Sequence, residues 1–509
     1  MTLRYSNLKL PIFLYLSLPI FLFLAFFLRL TAAVPCIAAY AAVLCFALRK
    51  DPEAAGAEKQ ITVPARMLTV LFLLVLLWTF LGGLNGHWFQ TSDWDCRNAI
   101  FRDLITHDWP VRYQNGSALV YYIGHWLPAA GLAKLLLPLG GLDLAWAVGQ
   151  NLLWLWTAVG VYFVLLLLLT YHGVEGEKQL WLVVLLFVFF SGMDLIGVFV
   201  TNHVSYIFSP EVLHLEWWFS RYQFSSITTC IYWVFNQSVI PWLTVACFLQ
   251  ERTPRNYIFL CIACLSCGPF PLLGLAILML VRGIRHLAQG IRAHAAGQSI
   301  RELLLPGNLL GIVTVVPVYL IYYLCNNATS GTAAEEGSLL SATLQWFSEG
   351  AVSSLLYFLV FFALEAGAYL VLVYRDQKRN PLYYTVFASL LLIPHFRVGR
   401  SNDFCMRVSI PGVFLLMVFC GEALLKHLDE LKMPKFSQKA QTLLLVVCLL
   451  IGAATPCVEI GRGFYHVLTE HTTELACDPI YSFENESVTY NFSTEFPNET
   501  IFFRHLARR

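Results

Sequence analysis

The chain has 509 residues, of which 58% are hydrophobic and only 13% charged, whereas soluble proteins carry about 25% charged residues. So large an apolar excess needs lipid to face, which excludes soluble, secreted and disordered classes. Lys and Arg number 33 against 32 Asp and Glu, for a formal net charge of +1; without a basic face there is no electrostatic case for nucleic acid, and function must come from local clusters.

The first apolar run, Pro11 to Leu28, follows Arg4 and Lys9 as a signal peptide would, but a second run starts almost at once with no small-residue cleavage site between them. An uncleaved anchor is expected. Short loops rich in Lys and Arg stay cytoplasmic, which places the N-terminus inside. Spans near 11–30 and 32–48 then form a hairpin, and a third, 67–84, crosses outward to His87. The loop that follows is external, and it is too long and too rich in Trp and Tyr to be an ordinary connection.

The stretch Ala118 to Leu137 contains His125, Lys134 and several prolines and glycines, so it is placed in the membrane interface rather than across it. With that parity Lys178, Arg252, Arg255, Arg282 to Arg301, Arg375 to Arg379 and Lys426 to Lys439 all face inward. The run 257–281 must then enter and return, broken at Cys267-Gly268-Pro269-Phe270-Pro271 into halves that are each short for a crossing. Spans near 306–325, 351–374, 382–396, 409–425 and 442–458 complete the bundle, with an external tail from Glu459.

The expected fold is all-α, a polytopic bundle of about 11–13 spans, in a multi-pass protein of the cell membrane with its active face external. It divides into an N-terminal hairpin and loop (1–66), a membrane module (67–425) with an external loop 85–144, a last loop and span (426–458) and a small external tail (459–509). Asn-x-Ser/Thr triplets at Asn115, Asn327, Asn485, Asn491 and Asn498 fall on the side read as external. The 14 cysteines lie mostly in apolar runs without the spacing of a disulfide scaffold. Cys261-x-x-Cys264-x-x-Cys267 lacks a fourth ligand and reads as helix-packing residues.

Three external segments carry the candidate chemistry. The first, Thr91-Ser92-Asp93-Trp94-Asp95-Cys96-Arg97, puts two carboxylates just beyond a span, so that one can accept a proton while the other orients a hydroxyl or a cation. Arg97, Arg102 and Asp103 lie at helical spacing, and pairing among themselves is an equal expectation. The second segment runs from Thr201 through His203, Glu211, His214, Glu216 and Trp217 to Gln223. Aromatic faces interleaved with His, Glu and Arg suit a sugar, and an amphipathic interfacial helix would use the same tryptophans. His203, His214 and Glu216 lack metal-ligand spacing, and no metal ligands are assigned.

The third segment, His395 to Arg407, places Arg397, Arg400, Arg407 and Asp403 between two apolar runs, on the side where arginine is disfavoured and at a depth where it needs a partner. The guanidinium fork suits phosphate; the competing expectation is an Arg–Asp403 pair that locks two helices.

This order of parts resembles the GT-C superfamily of integral membrane glycosyltransferases that use polyprenyl-phosphate sugars, such as protein mannosyltransferases and the aminoarabinose transferase of lipid A. Asp93 and Asp95 match its acidic position after an outward span. Leu119-Val120-Tyr121-Tyr122-Ile123-Gly124-His125-Trp126-Leu127, ending at Gly140-Gly141-Leu142, is similar to its interfacial helix, and Asn151 to Thr170 to its inward span. The resemblance implies inverting transfer in which Asp93 deprotonates an acceptor hydroxyl, Asp95 positions it, and Arg397, Arg400, Arg407 and Arg97 hold the lipid phosphate. His203, Glu211, His214, Glu216, Trp217, Tyr121 and Tyr122 would bind sugar or acceptor. The expected partners are membrane lipids and a polyprenyl-phosphate-linked sugar, with no nucleic acid. Cation dependence stays open, since a Mg²⁺ or Mn²⁺ site needs only one or two carboxylates plus phosphate. The rival classes are a transporter or flippase of a lipid-linked saccharide, which would use the same arginines and the broken run at Gly268, and a non-catalytic membrane assembly subunit.

Overall fold

The computed structural model describes residues 1–49, 58–208, 214–219, 221–327, 351–396, 403–430, 436–470, 479–480, 489 and 491–508. Helices dominate because every apolar run must close its backbone hydrogen bonds within itself once lipid replaces water. The only strands among the described residues are two-residue pairs: β1 (Thr2–Leu3) with β2 (Ile61–Thr62), and β3 (Ala118–Leu119) with β4 (Ser493–Thr494), both antiparallel.

The first half of the chain builds α1 (Tyr5–Phe27), α2 (Leu30–Ala47), α3 (Ala65–Phe80), α4 (Trp94–Thr106), α5 (Leu127–Lys134) and α6 (Leu137–His172). α7 (Glu177–Phe189), α8 (Asp194–Val200) and the one-turn α9 (Ser205–Phe208) follow. The second half contains α10 (Ile227–Val234), α11 (Val239–Gln250), α12 (Tyr257–Leu265), α13 (Pro269–Arg292), α14 (Ala296–Leu303) and α15 (Pro306–Tyr323). It closes with α16 (Ala351–Phe362), joined through a π turn at Ala363–Gly367 to α17 (Ala368–Gln377), then α18 (Pro381–Leu392), α19 (Asp403–Glu430), α20 (Phe436–Gly452) and α21 (Ala454–Glu470).

Nine helical stretches among the described residues are long and apolar enough to cross a membrane, so the protein is an all-α, multi-pass membrane protein. The strict count lies below the expected eleven to thirteen. Three apolar helices, Ala65–Phe80, Pro254–Leu265 and Pro381–His395, are short, and Ile227–Gln237 and Val239–Gln250 meet at a 104° bend. That bend carries the polar run Asn236-Gln237-Ser238, all buried; Asn236 is itself a glycosylation triplet that no enzyme could reach.

Two expectations are corrected. The break near residue 268 is present, with Gly268 at φ 132°, but only its first half is short. α13 runs 24 residues, because proline in a first helical turn lacks only a donor that would be unpaired anyway. Nor does a tail begin at Glu459: the helix continues to Glu470, and Glu459 is buried, accepting a 3.0 Å bond from Arg462 Nη2 one turn later. Charges at membrane depth have paired rather than ended the helix.

Contacts sort the loops to two ends of the bundle. At one end β1 meets β2, Lys9 pairs with Glu251 (3.2 Å), Lys59 Nζ donates to the Tyr171 carbonyl (2.7 Å), Arg282 Nη1 to the Phe248 carbonyl (2.7 Å) and Lys426 pairs with Asp376 (2.7 Å). At the other, the loop from Leu81 to Trp126 packs against 266–270, the end of α15, the start of α19 and the returning strand β4. No span-length helix forms between residues 118 and 136, and the interfacial helix expected from Leu119 starts only at Leu127: β3 leads into an irregular stretch and the eight-residue α5, because β3 pairs with β4.

Gly124 is the tightest approach in that irregular stretch. Its N–H donates to the Ser266 carbonyl (3.2 Å), and a Cβ there would overlap the same carbonyl. Gly124→Ala is therefore expected to destabilise the fold by about 1–3 kcal/mol, the usual cost of overpacking, seen as a lower thermal midpoint in detergent. An unchanged midpoint would mean that the loop is not held against residue 266.

Candidate functional site

α4 positions the first acidic residue. Its apolar face, Ile100, Phe101, Leu104 and Ile105, is fully buried, and buried polar side chains fix it against its neighbours. Asn98 Nδ2 donates to Gln90 Oε1 (2.9 Å), Gln150 Nε2 to Asn98 Oδ1 (3.2 Å), and Trp94 Nε1 to the Tyr232 carbonyl (2.9 Å). Asp103, also buried, accepts from Tyr113 Oη (2.9 Å) and from the backbone N–H of Ile480 (3.0 Å), which ties α4 to the C-terminal segment. Asp93 stands at the N-terminal boundary, where a carboxylate is favoured by the helix dipole. Instead of capping the helix, its Oδ2 accepts from Arg97 Nη2 at 3.0 Å.

α19 supplies a matching pair. Arg407 Nη2 lies 2.7 Å from Asp403 Oδ2, again four residues apart. In both pairs the carboxylate is the exposed partner, at 51% and 43%, and the arginine the buried one, at 9% and 13%. The Nε–H groups of Arg97 and Arg407 are buried and have no hydrogen-bond acceptor among the described residues.

Both pairs face one cavity of about 260 Å³, lined by Asp93, Arg97, Tyr121, Asp403, Arg407 and the aromatic pair Trp217 and Trp233, with His214 between them. The His214 ring lies 4.3 Å from Trp217 and 4.9 Å from Trp233. Trp233 is held from behind: its Nε1 donates to Glu459 Oε2 at 2.9 Å. Burial, with Arg462 nearby, drives the His214 pKa well down, so the imidazole is neutral. Phe492 closes the cavity, brought there because the Val120 N–H donates to its carbonyl (2.9 Å) beside the β3–β4 pair.

Of the residues singled out in the sequence, Asp93, Arg97, Tyr121, His214, Trp217 and Arg407 line this cavity. Asp95 does not. It is half-buried in the first turn of α4, and burial, together with Asp93, raises its pKa. Tyr122 packs away against Tyr323 and Phe270. His203 lies in the turn after α8, its Nδ1 2.8 Å from Thr201 Oγ1. Arg102 pairs with Asp103 at 3.7 Å. Glu211, Arg397 and Arg400 lie outside the described residues. Trp233, Phe492 and Met406 also line the cavity but were not anticipated. Trp233 sits in an otherwise apolar run and gives no local signal, whereas the Asn236-Gln237-Ser238 interruption after it marks the bend.

Glu216 lies behind the wall, accepting from the Ser226 N–H and from Gln223 Nε2, each at 2.8 Å. Burial, and then the charge of Asp194, push its pKa up to about 8. A folded-state value above the unfolded one means the native protein holds the extra proton between about pH 4.5 and 8. Stability is therefore fully present below that window and falls as pH rises through it. Glu216→Gln should flatten the fall in thermal midpoint between pH 5 and 8; an unchanged slope would assign the pH dependence elsewhere.

The two carboxylates that face the cavity are each committed to an arginine, and no group of three metal-donor side chains occurs among the described residues. Among the described residues the donor set thus forms no protein cage for a cation. Comparison with known proteins returns no matching family model, no matching curated protein and no matching solved structure.

Proposed function

We propose that the protein is a membrane glycosyltransferase of GT-C type, moving a sugar from a polyprenyl-phosphate donor to an acceptor hydroxyl at the end of the bundle that carries the cavity. That end is external because the opposite one collects the Lys and Arg loops. The observation that carries the reading is the cavity itself. Two arginines from distant parts of the chain, each with a buried Nε–H that has no acceptor among the described residues, share one space with a half-exposed aspartate and an aromatic wall. A phosphate between Arg97 and Arg407 supplies the missing acceptors, and Trp217 and Trp233 offer faces to sugar C–H groups.

In the reaction the acceptor oxygen attacks the anomeric carbon and the bond from that carbon to the phosphate oxygen breaks. Polyprenyl phosphate departs carrying the bonding electrons, stabilised by the two guanidinium groups. The proton of the acceptor hydroxyl passes to Asp93, whose position is fixed by the ion pair with Arg97. One displacement inverts the anomeric configuration.

Transport of a lipid-linked saccharide is the second reading. It draws on the 104° bend and on the buried carboxylates at the helix break between α7 and α8, since discontinuous helices with polar ends build mid-membrane sites. There Asp194 Oδ2 accepts from Ser191 Oγ (2.9 Å) and Thr455 Oγ1 (2.7 Å), and Glu365 Oε1 from Trp218 Nε1 (3.0 Å). Purified protein in vesicles, given a panel of radiolabelled polyprenyl-phosphate sugars and acceptors, separates the two. Glycosyltransfer predicts loss of the sugar from its lipid and an equal amount of free polyprenyl phosphate. Donors that reach the opposite leaflet intact and uncleaved would overturn it.

A further inference from the structure

A second and larger cavity, about 860 Å³, opens between α1, the segment after α4 and α5. Much of its lining is apolar: Leu18, Leu22 and Phe26 of α1, Leu132 of α5 and Leu135 just after that helix. Four of these, Leu18, Phe26, Leu132 and Leu135, are more than 40% exposed. Three cations from three separate segments also line it: Arg112 after α4, Lys134 at the end of α5 and Arg508 of the C-terminal segment. The single carboxylate lining it, Asp108, points fully to solvent, 3.9 Å from Lys134. This excess of positive charge lies at the end of the bundle opposite the Lys- and Arg-rich loops, where topology does not call for it.

The segment bearing Arg508 is built into the fold rather than draped over it. The Arg508 N–H donates to the Phe27 carbonyl at 2.8 Å, the Arg29 N–H to the Leu506 carbonyl at 2.9 Å, and Phe502 packs on Tyr322 at 5.0 Å. Arg112 is likewise placed by stacking on Phe503 (5.1 Å) and by an Nη1 bond of 3.3 Å to Asn498. Lys134 donates to the His107 carbonyl and lies 5.9 Å over Trp109. Each cation is thus held by its own contacts beside an apolar trough.

We infer that this groove is a binding site for an anionic diacyl phospholipid, with its acyl chains between α1 and α5 and its phosphodiester headgroup against Arg112, Lys134 and Arg508. Three cations against one solvent-directed carboxylate favour an anionic headgroup over a zwitterionic one. The trough has room for more than one chain, unlike the smaller aromatic-walled cavity at the other end of α4. The site does not depend on glycosyltransfer: it would bind lipid equally in a transporter.

Native mass spectrometry of the purified full chain, titrated with phosphatidylglycerol, phosphatidylethanolamine or polyprenyl phosphate, tests this. Wild-type protein should bind phosphatidylglycerol at least tenfold more tightly than phosphatidylethanolamine, and Arg508→Ala together with Arg112→Ala should remove most of that preference. Because Arg112 also holds the C-terminal segment, Arg508→Ala alone and Leu132→Trp, which fills the trough, serve as independent variants. Each should weaken phosphatidylglycerol severalfold with the thermal midpoint of lipid-free protein unchanged. Equal binding of the two phospholipids, undiminished binding in all of these variants, or displacement of phosphatidylglycerol from this groove by polyprenyl phosphate would each overturn the assignment.

Discussion

Replacing Asp93 by Asn should lower sugar transfer about 10²–10⁴-fold, the range a positioned general base contributes, while a polyprenyl-phosphate sugar still binds. Asparagine keeps the size of the side chain and can still accept a hydrogen bond from Arg97, whose Nη2 now lies 3.0 Å from Oδ2. What is lost is the capacity to take the acceptor proton, so the defect should appear in kcat with the donor Kd close to wild type. Asp95→Asn is the control. Its side chain is off the cavity wall, and the same assay should find it within a few-fold of wild type. If Asp95→Asn carried the large loss and Asp93→Asn did not, the base would have been misassigned; if both variants kept full activity, base catalysis from this loop would be wrong altogether.

Arg407→Ala should produce the opposite pattern, a donor Kd weakened about 10- to 100-fold. Hydrogen bonds to charged groups are worth about 1.5–3 kcal/mol each, and about 1.4 kcal/mol is a factor of ten in affinity. The change also strands Asp403, whose carboxylate loses its 2.7 Å partner and then repels an incoming phosphate. The double variant Arg407→Ala with Asp403→Asn separates these contributions by recovering only the repulsive part. Arg407→Lys keeps the charge without the fork and should fall between. Donor affinity by equilibrium binding in detergent is the measurement, and a Kd unmoved by Arg407→Ala would leave the ion pair with a purely structural role.

How far the sequence carries can be followed residue by residue. Composition alone specifies the multi-pass helical class, because apolar runs of this length have no other stable state. The Gly268-Pro269 break and the Gly140-Gly141 interruption are also visible, since positive φ and the missing proline donor are local properties; Gly141 indeed has φ 67° inside the long stretch Leu137–His172. The helical spacing of Asp403 and Arg407 is equally local, and that pair is expected as an alternative to a phosphate site, although it forms within one helix instead of locking two. Arg97, expected to pair with Arg102 or Asp103, pairs with Asp93. The structure has both pairs formed and both arginines on one cavity.

What is not local was not legible. Trp233 becomes a cavity wall only because a 104° bend turns α10 against α11 and Glu459 reaches its indole N–H. Phe492 arrives through the two-residue strand β4, which pairs with a partner far away in sequence and carries no periodic signal. Glu459 itself reads as the start of a polar tail, since a charged residue after an apolar run looks like an exit from the membrane, whereas its partner Arg462 lies one turn on.

Whether one cavity holds both the base and the lipid phosphate is tested most directly by photo-cross-linking. A polyprenyl-phosphate probe with a diazirine close to the phosphate, irradiated on the purified protein and mapped by peptide mass spectrometry, should label the segments containing Cys96 and Ile100, Met406 and Phe492, all on the cavity wall. Excess unlabelled polyprenyl phosphate should abolish that labelling, and Arg407→Ala should reduce it. Labelling confined to the groove between α1 and α5, or to the helix break at Asp194, with none on these segments, would contradict the account.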